Sequence, residues 1–96
     1  MAALVLVDID VTDPVGYEEY KRLASVSIAA HGGRYVARGG ATTVLEGPWT
    51  PKRLVVLEFA SADAARAWYA SPEYAAAKEA RLRTTAGTTM VVVETL

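Results

Sequence analysis

Cysteine is absent from this 96-residue chain, and histidine occurs only once. The first absence excludes disulfides and thiolate metal sites. The two together remove any zinc set, any Cys-His pair and any arguable Ser-His-Asp set. A lone His31 could still serve as an axial haem ligand, but nothing else points to haem, so no cofactor or metal is expected. Neither sign of charge is in excess: ten Lys and Arg face eleven Asp and Glu, for a net charge of −1. That balance argues against nucleic acid and anionic membranes as partners, since both demand a basic surface. No apolar run approaches about eighteen residues. The opening Met-Ala-Ala-Leu-Val enters a strand pattern without a charged leader, and a cytoplasmic protein is the expectation. Neither a Gly-x-Gly-x-x-Gly nor a Walker pattern is present to cradle a phosphate.

What is present is a hydrophobic share of 52% against 22% charged residues, enough to fold. The length allows one domain over residues 1–96. Ala3 to Val11 is a β-branched run in which Leu4, Leu6 and Asp8 alternate with Val5, Val7 and Ile9, and it reads as a strand. Asp13 and Pro14 supply an N-cap and a first helical residue. Tyr17, Tyr20, Ala24 and Ile28 then fall on one helical face, with Glu18 and Arg22 spaced for an ion pair on the other. His31-Gly32-Gly33 stops this helix. Arg34 to Arg38 reads as a strand, Gly39-Gly40 as a bulge, bend or turn, and Thr42 to Glu46 as a resumption of extended chain. After a proline loop, Arg53 to Phe59 is the clearest strand. Ser61 caps a short helix, and Ser71-Pro72 starts a second piece running to about Arg83. Gly87 is expected to end it, with Thr88 to Glu94 as the last strand. The order predicts a ferredoxin-like βαββαβ sandwich of the α+β class, its helices on one face of a four-stranded antiparallel sheet.

A sheet with one wet face should alternate apolar and polar residues. Here Leu54 and Val56 oppose Val55 and Leu57, and Val91 and Val93 oppose Met90 and Val92, so both faces are apolar and the helices can cover only one. A bare face of several hundred Å² exceeds what monomers usually tolerate. A second copy, packed face to face, is the natural cover, and a homodimer enclosing a shared barrel is predicted. By strand parity Asp8 and Glu58 join that face, and Arg38 joins Val36, all subject to register.

Several elements then combine: Thr12-Asp13-Pro14, His31-Gly32-Gly33-Arg34-Tyr35, Arg38-Gly39-Gly40, Leu45-Glu46-Gly47, Arg53 to Phe59 and Trp68-Tyr69-Ala70-Ser71-Pro72-Glu73-Tyr74. In this order and spacing, over nearly the whole chain, they resemble the DUF1330 family. The resemblance implies a protomer of the dimeric α+β barrel superfamily. It names no reaction, because the family's activity is itself unassigned. Related barrels include cofactor-independent monooxygenases, muconolactone-type isomerases and haem binders, which is analogy from fold.

Each candidate residue has two readings. His31 either caps its helix or acts as an acid-base group. Arg38, beside flexible glycines, either grips a carboxylate or phosphate or pairs with Glu46, Glu58 or Asp8. Glu58 is a proton-transfer candidate if desolvated, and Glu46 and Arg53 are expected to pair across a hairpin. Trp49 could cover a pocket mouth or touch the partner chain, whereas Trp68 belongs in the core. Tyr74 and Arg81, seven residues apart on one helix face, are a solvated face or, on the family pattern, a pocket rim. The functional expectation is a small-molecule site for a partly apolar anionic metabolite, serving a cofactor-free isomerase or monooxygenase. The alternative is a non-catalytic ligand-binding or stress-associated homodimer.

Overall fold

Each helix begins where a short polar side chain meets free amides. The computed structural model, which describes residues Met1–Leu96, runs β1 (Ala3–Val11), α1 (Pro14–Ala30), β2 (Arg34–Arg38), β3 (Leu54–Phe59), α2 (Ala62–Tyr69), α3 (Pro72–Thr84) and β4 (Thr85–Glu94). Asp13 accepts the Gly16 amide at 3.1 Å, Ser61 that of Ala64 at 3.0 Å and Ser71 that of Tyr74 at 3.1 Å. Pro14 and Pro72 occupy first-turn positions where no donor is lost. The strands form one antiparallel sheet in the order β2-β3-β1-β4. This is the expected ferredoxin-like arrangement.

All three helices contribute to one core. Val5, Val7 and Ile9 of β1 and Val55, Leu57 and Phe59 of β3 point into it, meeting Tyr17, Tyr20, Ala24 and Ile28 of α1. Trp68 is its centre, with ring centroids 5.3 Å from Phe59 and 4.4 Å from Tyr74. Its indole N–H donates to the buried Ser27 hydroxyl at 3.0 Å. Leu4, Leu6, Leu54 and Val56 stand half-buried on the opposite face, where Val91 and Val93 are exposed.

Four local expectations fail. Thr42–Glu46 is no strand but exposed loop, because β3 begins only at Leu54 and offers no ladder beyond Gly39. Gly87 does not end α3; it lies within β4 opposite Asp10. The helix runs to Thr84 and the chain turns extended at Thr85 without a glycine. The Thr84 and Thr85 hydroxyls take the carbonyls of Ala80 and Arg81, both at 2.8 Å, and so satisfy the helix end. On α1, Arg22 pairs with Glu19 at 2.7 Å and Lys21 with Glu18 at 3.1 Å, displacing the expected Glu18–Arg22 pair. Tyr74 and Arg81 form neither a solvated face nor a rim: their relative exposures are 0% and 5%, while the neighbouring Leu82 is 63% exposed. The stripe Tyr74, Ala77, Ala80, Arg81 and Thr84 is the one α3 buries, and α3 packs chiefly on α1.

Arg81 survives there through hydrogen bonding. Its Nη1 donates to the Tyr74 hydroxyl at 2.7 Å, which lies 3.0 Å from the Tyr20 hydroxyl. Burial pushes both phenols upward, so they remain neutral. Tyr74→Phe should strand a buried guanidinium donor and cost about 1–3 kcal/mol in urea unfolding. A neutral substitution would show that Arg81 does not depend on this contact.

Candidate functional site

The geometry of the site turns on one extra residue in β2. Arg34 lies opposite Glu58 and Tyr35 opposite Leu57, but Ala37 then pairs with Val56 and Arg38 with Val55, which leaves Val36 as a bulge. Side chains alternate along a strand, so one inserted residue moves everything beyond it to the other face. Arg38 therefore does not join Val36, Glu58 and Asp8 on the open face. It stands with Tyr35 on the helix side, its guanidinium carbon 4.5 Å from that ring. Arg34, ahead of the bulge, takes the partner expected for Arg38. Its Nε and Nη2 both reach Glu58 Oε1 at 2.7 Å.

Between α1 and strands β1–β3 lies a narrow cavity of about 30 Å³ whose lining includes Tyr17, Tyr20, Tyr35, Arg38, Arg53 and Trp68. That volume admits a water or two. It shares Tyr17, Lys21, Arg53 and Ile9 with a wider outer depression of about 430 Å³, bounded also by Asp10, Glu18, Gly39 and Lys52. The guanidinium of Arg53 rests 5.5 Å from the Tyr17 ring. Burial raises the Tyr17 phenol despite the opposing pull of this cation. Neither Arg38 nor Arg53 has a carboxylate within 4.0 Å, in contrast to Arg22, Arg34 and Arg66. The expected Glu46–Arg53 pair is thus not formed. An uncompensated pair of cations beside apolar and aromatic walls can bind an anion.

The other predicted residues lie elsewhere. His31 is the C-cap residue of α1, and its Nε2 sits 2.9 Å from Glu73 in the first turn of α3. That is the capping position, tied across two helices. Glu58, on the open face, is engaged by Arg34. His31, Glu58 and Arg38 therefore do not converge. Asp8 is also on the open face, where it accepts the Trp49 indole N–H at 2.9 Å and the amides of Lys52 at 2.9 Å and Arg53 at 3.3 Å. Trp49, 57% exposed, is thereby held over an apolar hollow of about 390 Å³ with Leu6, Leu54 and Val91. Asp8 fastens a loop. Tyr35 and Arg53 are candidate site residues that sequence reasoning passed over, Arg53 because it was placed in a hairpin; Tyr17 lies in the core as expected and also lines the cavity. No group of three or more His, Asp or Glu side chains converges to hold a metal ion, and no helix is long and apolar enough to cross a membrane.

The family described as "Domain of unknown function (DUF1330)" matches residues 2–96, and the chain belongs to it. No curated protein matches the sequence. Among solved structures, a Rhodopseudomonas palustris protein of unknown function is similar, with 19% identity, 99% of this chain and 82% of that chain covered, and a TM-score of 0.77. A dimeric ferredoxin-like protein of unknown function from Thermobifida fusca has 22% identity, 99% and 92% coverage, and a TM-score of 0.70. A Nitrosomonas europaea protein, provisionally described as an antibiotic biosynthesis monooxygenase, has 15% identity, 99% and 90% coverage, and a TM-score of 0.64. At these identities the likeness is one of fold.

The Asp8 tether should respond to acid. The Trp49 hydrogen bond, helped by the Lys52 and Arg53 amides, holds the Asp8 carboxyl below the usual carboxylate range. A group depressed on folding contributes in full above its unfolded value, about pH 4, and loses that contribution as pH falls through the folded value. The stability difference between wild type and Asp8→Ala should therefore be constant from about pH 7 to about pH 5 and shrink on further acidification. Urea titrations across that range provide the check. A gap that persists undiminished in strong acid would mean the carboxylate charge is not what holds the loop.

Proposed function

We propose that this chain works as a homodimer that binds a small, partly apolar anion in the cleft between α1 and the sheet. The observation that carries the reading is the meeting of Arg38 and Arg53, both without carboxylate partners, with Tyr17 and Tyr35 at one cavity. Arg53 is half-buried without a counter-ion, which is costly, and an anionic ligand reaching it beside the exposed Arg38 would offset that cost. Ile9, Val11 and Tyr17 line the outer depression and favour a ligand with an apolar portion.

The dimer part of the proposal rests on the open face. Leu4, Leu6, Leu54, Val56, Val91 and Val93 form an apolar surface that no helix of this chain covers. A matching face on a second copy would bury it, as in an isologous two-fold interface. Structural neighbours from Thermobifida fusca and Jannaschia are described as dimeric.

A cofactor-free isomerase or monooxygenase would need a proton acceptor at the cavity. The groups first considered for that work, His31 and Glu58, are held by Glu73 and Arg34. With those two engaged, proton transfer would fall to Asp10 on the wall of the outer depression, which no cation pairs, and binding is the simpler reading the side chains favour.

Light scattering at micromolar concentration should give twice the 10.2 kDa chain mass. Val91→Lys, which places a charge on the open face, should return the particle to the mass of one chain. A wild-type particle of single-chain mass would refute the dimer. For the site, a thermal-shift screen of small organic anions should find ligands that raise the apparent stability of the wild type. Arg38→Ala should lose most of that shift while keeping the dimer mass. Equal shifts in both proteins would remove Arg38 from the site.

A further inference from the structure

Arg53 differs from the other arginines of the chain in how it is seated. Its Nε–H is buried and has no hydrogen-bond partner, a condition shared only with Nε of Arg81. Arg81 uses its other end on Tyr74. Arg53 forms no ion pair and lies against a ring. A buried donor without an acceptor is rare enough in a native fold to need a reason.

The backbone beside it is shaped to receive it. Gly39 takes φ of +67°, and a Cβ there would lie 2.4 Å from Arg53 Nη1 and 2.9 Å from its Cζ. The positive φ calls for glycine at this point, and a Cβ there would push the guanidinium from its place. The Gly39 amide donates to the Leu54 carbonyl at 2.8 Å, which fixes the glycine next to the strand that begins just after Arg53. The guanidinium so held forms part of the lining of both the narrow cavity and the outer depression. Arg53 stands where the two meet.

We infer that Arg53 is the principal anchor of this cleft and that its ligand is a planar monocarboxylate. This deepens the anion-binding reading and rests on it. The two Nη groups of a guanidinium present parallel donors that match the two oxygens of a carboxylate. With Nε–H closed off from solvent, the ligand's contacts fall to this Nη end of Arg53. The inner cavity admits only water, so the carboxylate faces inward at Arg53 and the apolar body lies in the outer depression against Tyr17. The charge around the depression selects a single negative charge. Lys21 is already engaged by Glu18 at 3.1 Å, and Asp10 on the same wall offsets Lys52, so Arg53 leaves one net positive charge, too little for a dianion such as phosphate.

Benzoate is a suitable probe, with inorganic phosphate as the competing chemistry. Isothermal titration and thermal shift should show benzoate binding the wild-type protein and phosphate not. Arg53→Lys keeps the charge but loses the fork, and should weaken benzoate at least about tenfold with the oligomer mass unchanged. Gly39→Ala should weaken it similarly by pushing the guanidinium from its seat. If that variant fails to fold, Arg53→Lys decides alone. Benzoate bound equally well by wild type and Arg53→Lys would overturn the Arg53 assignment and leave the anion-binding reading standing. Phosphate bound as well as benzoate would overturn the carboxylate assignment. A wild-type protein that binds neither benzoate, acetate nor phosphate would overturn both readings together.

Discussion

Three helices can cover only one face of a four-stranded sheet, and most of this structure follows from how the chain meets that limit. The covered face is packed around Trp68, whose ring touches Phe59 from the sheet and Tyr74 from α3. Ser27 satisfies the indole N–H inside the core, so the largest side chain is buried without leaving a polar atom unpaired. The other face keeps Leu6, Val56 and Val91 toward solvent and is partly shielded by Trp49, which Asp8 holds in place. The sheet thus divides the molecule's chemistry: the ion pair Arg34–Glu58 and the Asp8 tether on one side, the tyrosine and arginine cleft on the other.

Assignment to one side or the other depends on single residues. The bulge at Val36 places Arg34 with Glu58 and sends Arg38 to the cleft. Without it, the two arginines would share the open face and compete for Glu58 and Asp8, and the cleft would keep Arg53 alone. An irregularity of one residue therefore concentrates uncompensated positive charge under α1. The same strand end supplies Gly39, so bulge and glycine together place Arg38 and Arg53 at one cavity from opposite sides of the β2–β3 pair.

Much of this was legible locally. Alternation along β1 and β3 identified Val5, Val7, Val55 and Leu57 as one face, and the caps Asp13, Ser61 and Ser71 marked the helix starts, because these signals act over a few residues. Thr42–Glu46 misled for the opposite reason: its residues suit a strand, but a strand needs a neighbour, and that is not local information. Val36 and Ala37 carry no mark of a bulge, so parity misplaced Arg38. Helix α3 is alanine-rich on several sides, and its seven-residue spacing could say that Tyr74 and Arg81 share a face without saying which face is buried. Arg53 was missed because its meaning lies in Gly39, fourteen positions earlier, through a contact only the folded backbone makes.

Arg53 and Arg81 together show what separates an arginine that serves the fold from one proposed to bind a ligand. Both have a buried Nε without a partner and both lie near a tyrosine ring. Arg81 is enclosed, 5% exposed, and its Nη1 is committed to a phenol that in turn meets a second phenol. Nothing can reach it without unfolding the contact between α1 and α3. Arg53 is half-buried, has no committed acceptor, and opens onto a depression wide enough for a small molecule. The desolvation cost of Arg81 is reduced inside the fold by its own hydrogen bond to Tyr74. That of Arg53 is met only in part, by a ring face that a bidentate acceptor outcompetes. An arginine left so incompletely satisfied, beside a glycine held at positive φ, is what the proposed anion would complete.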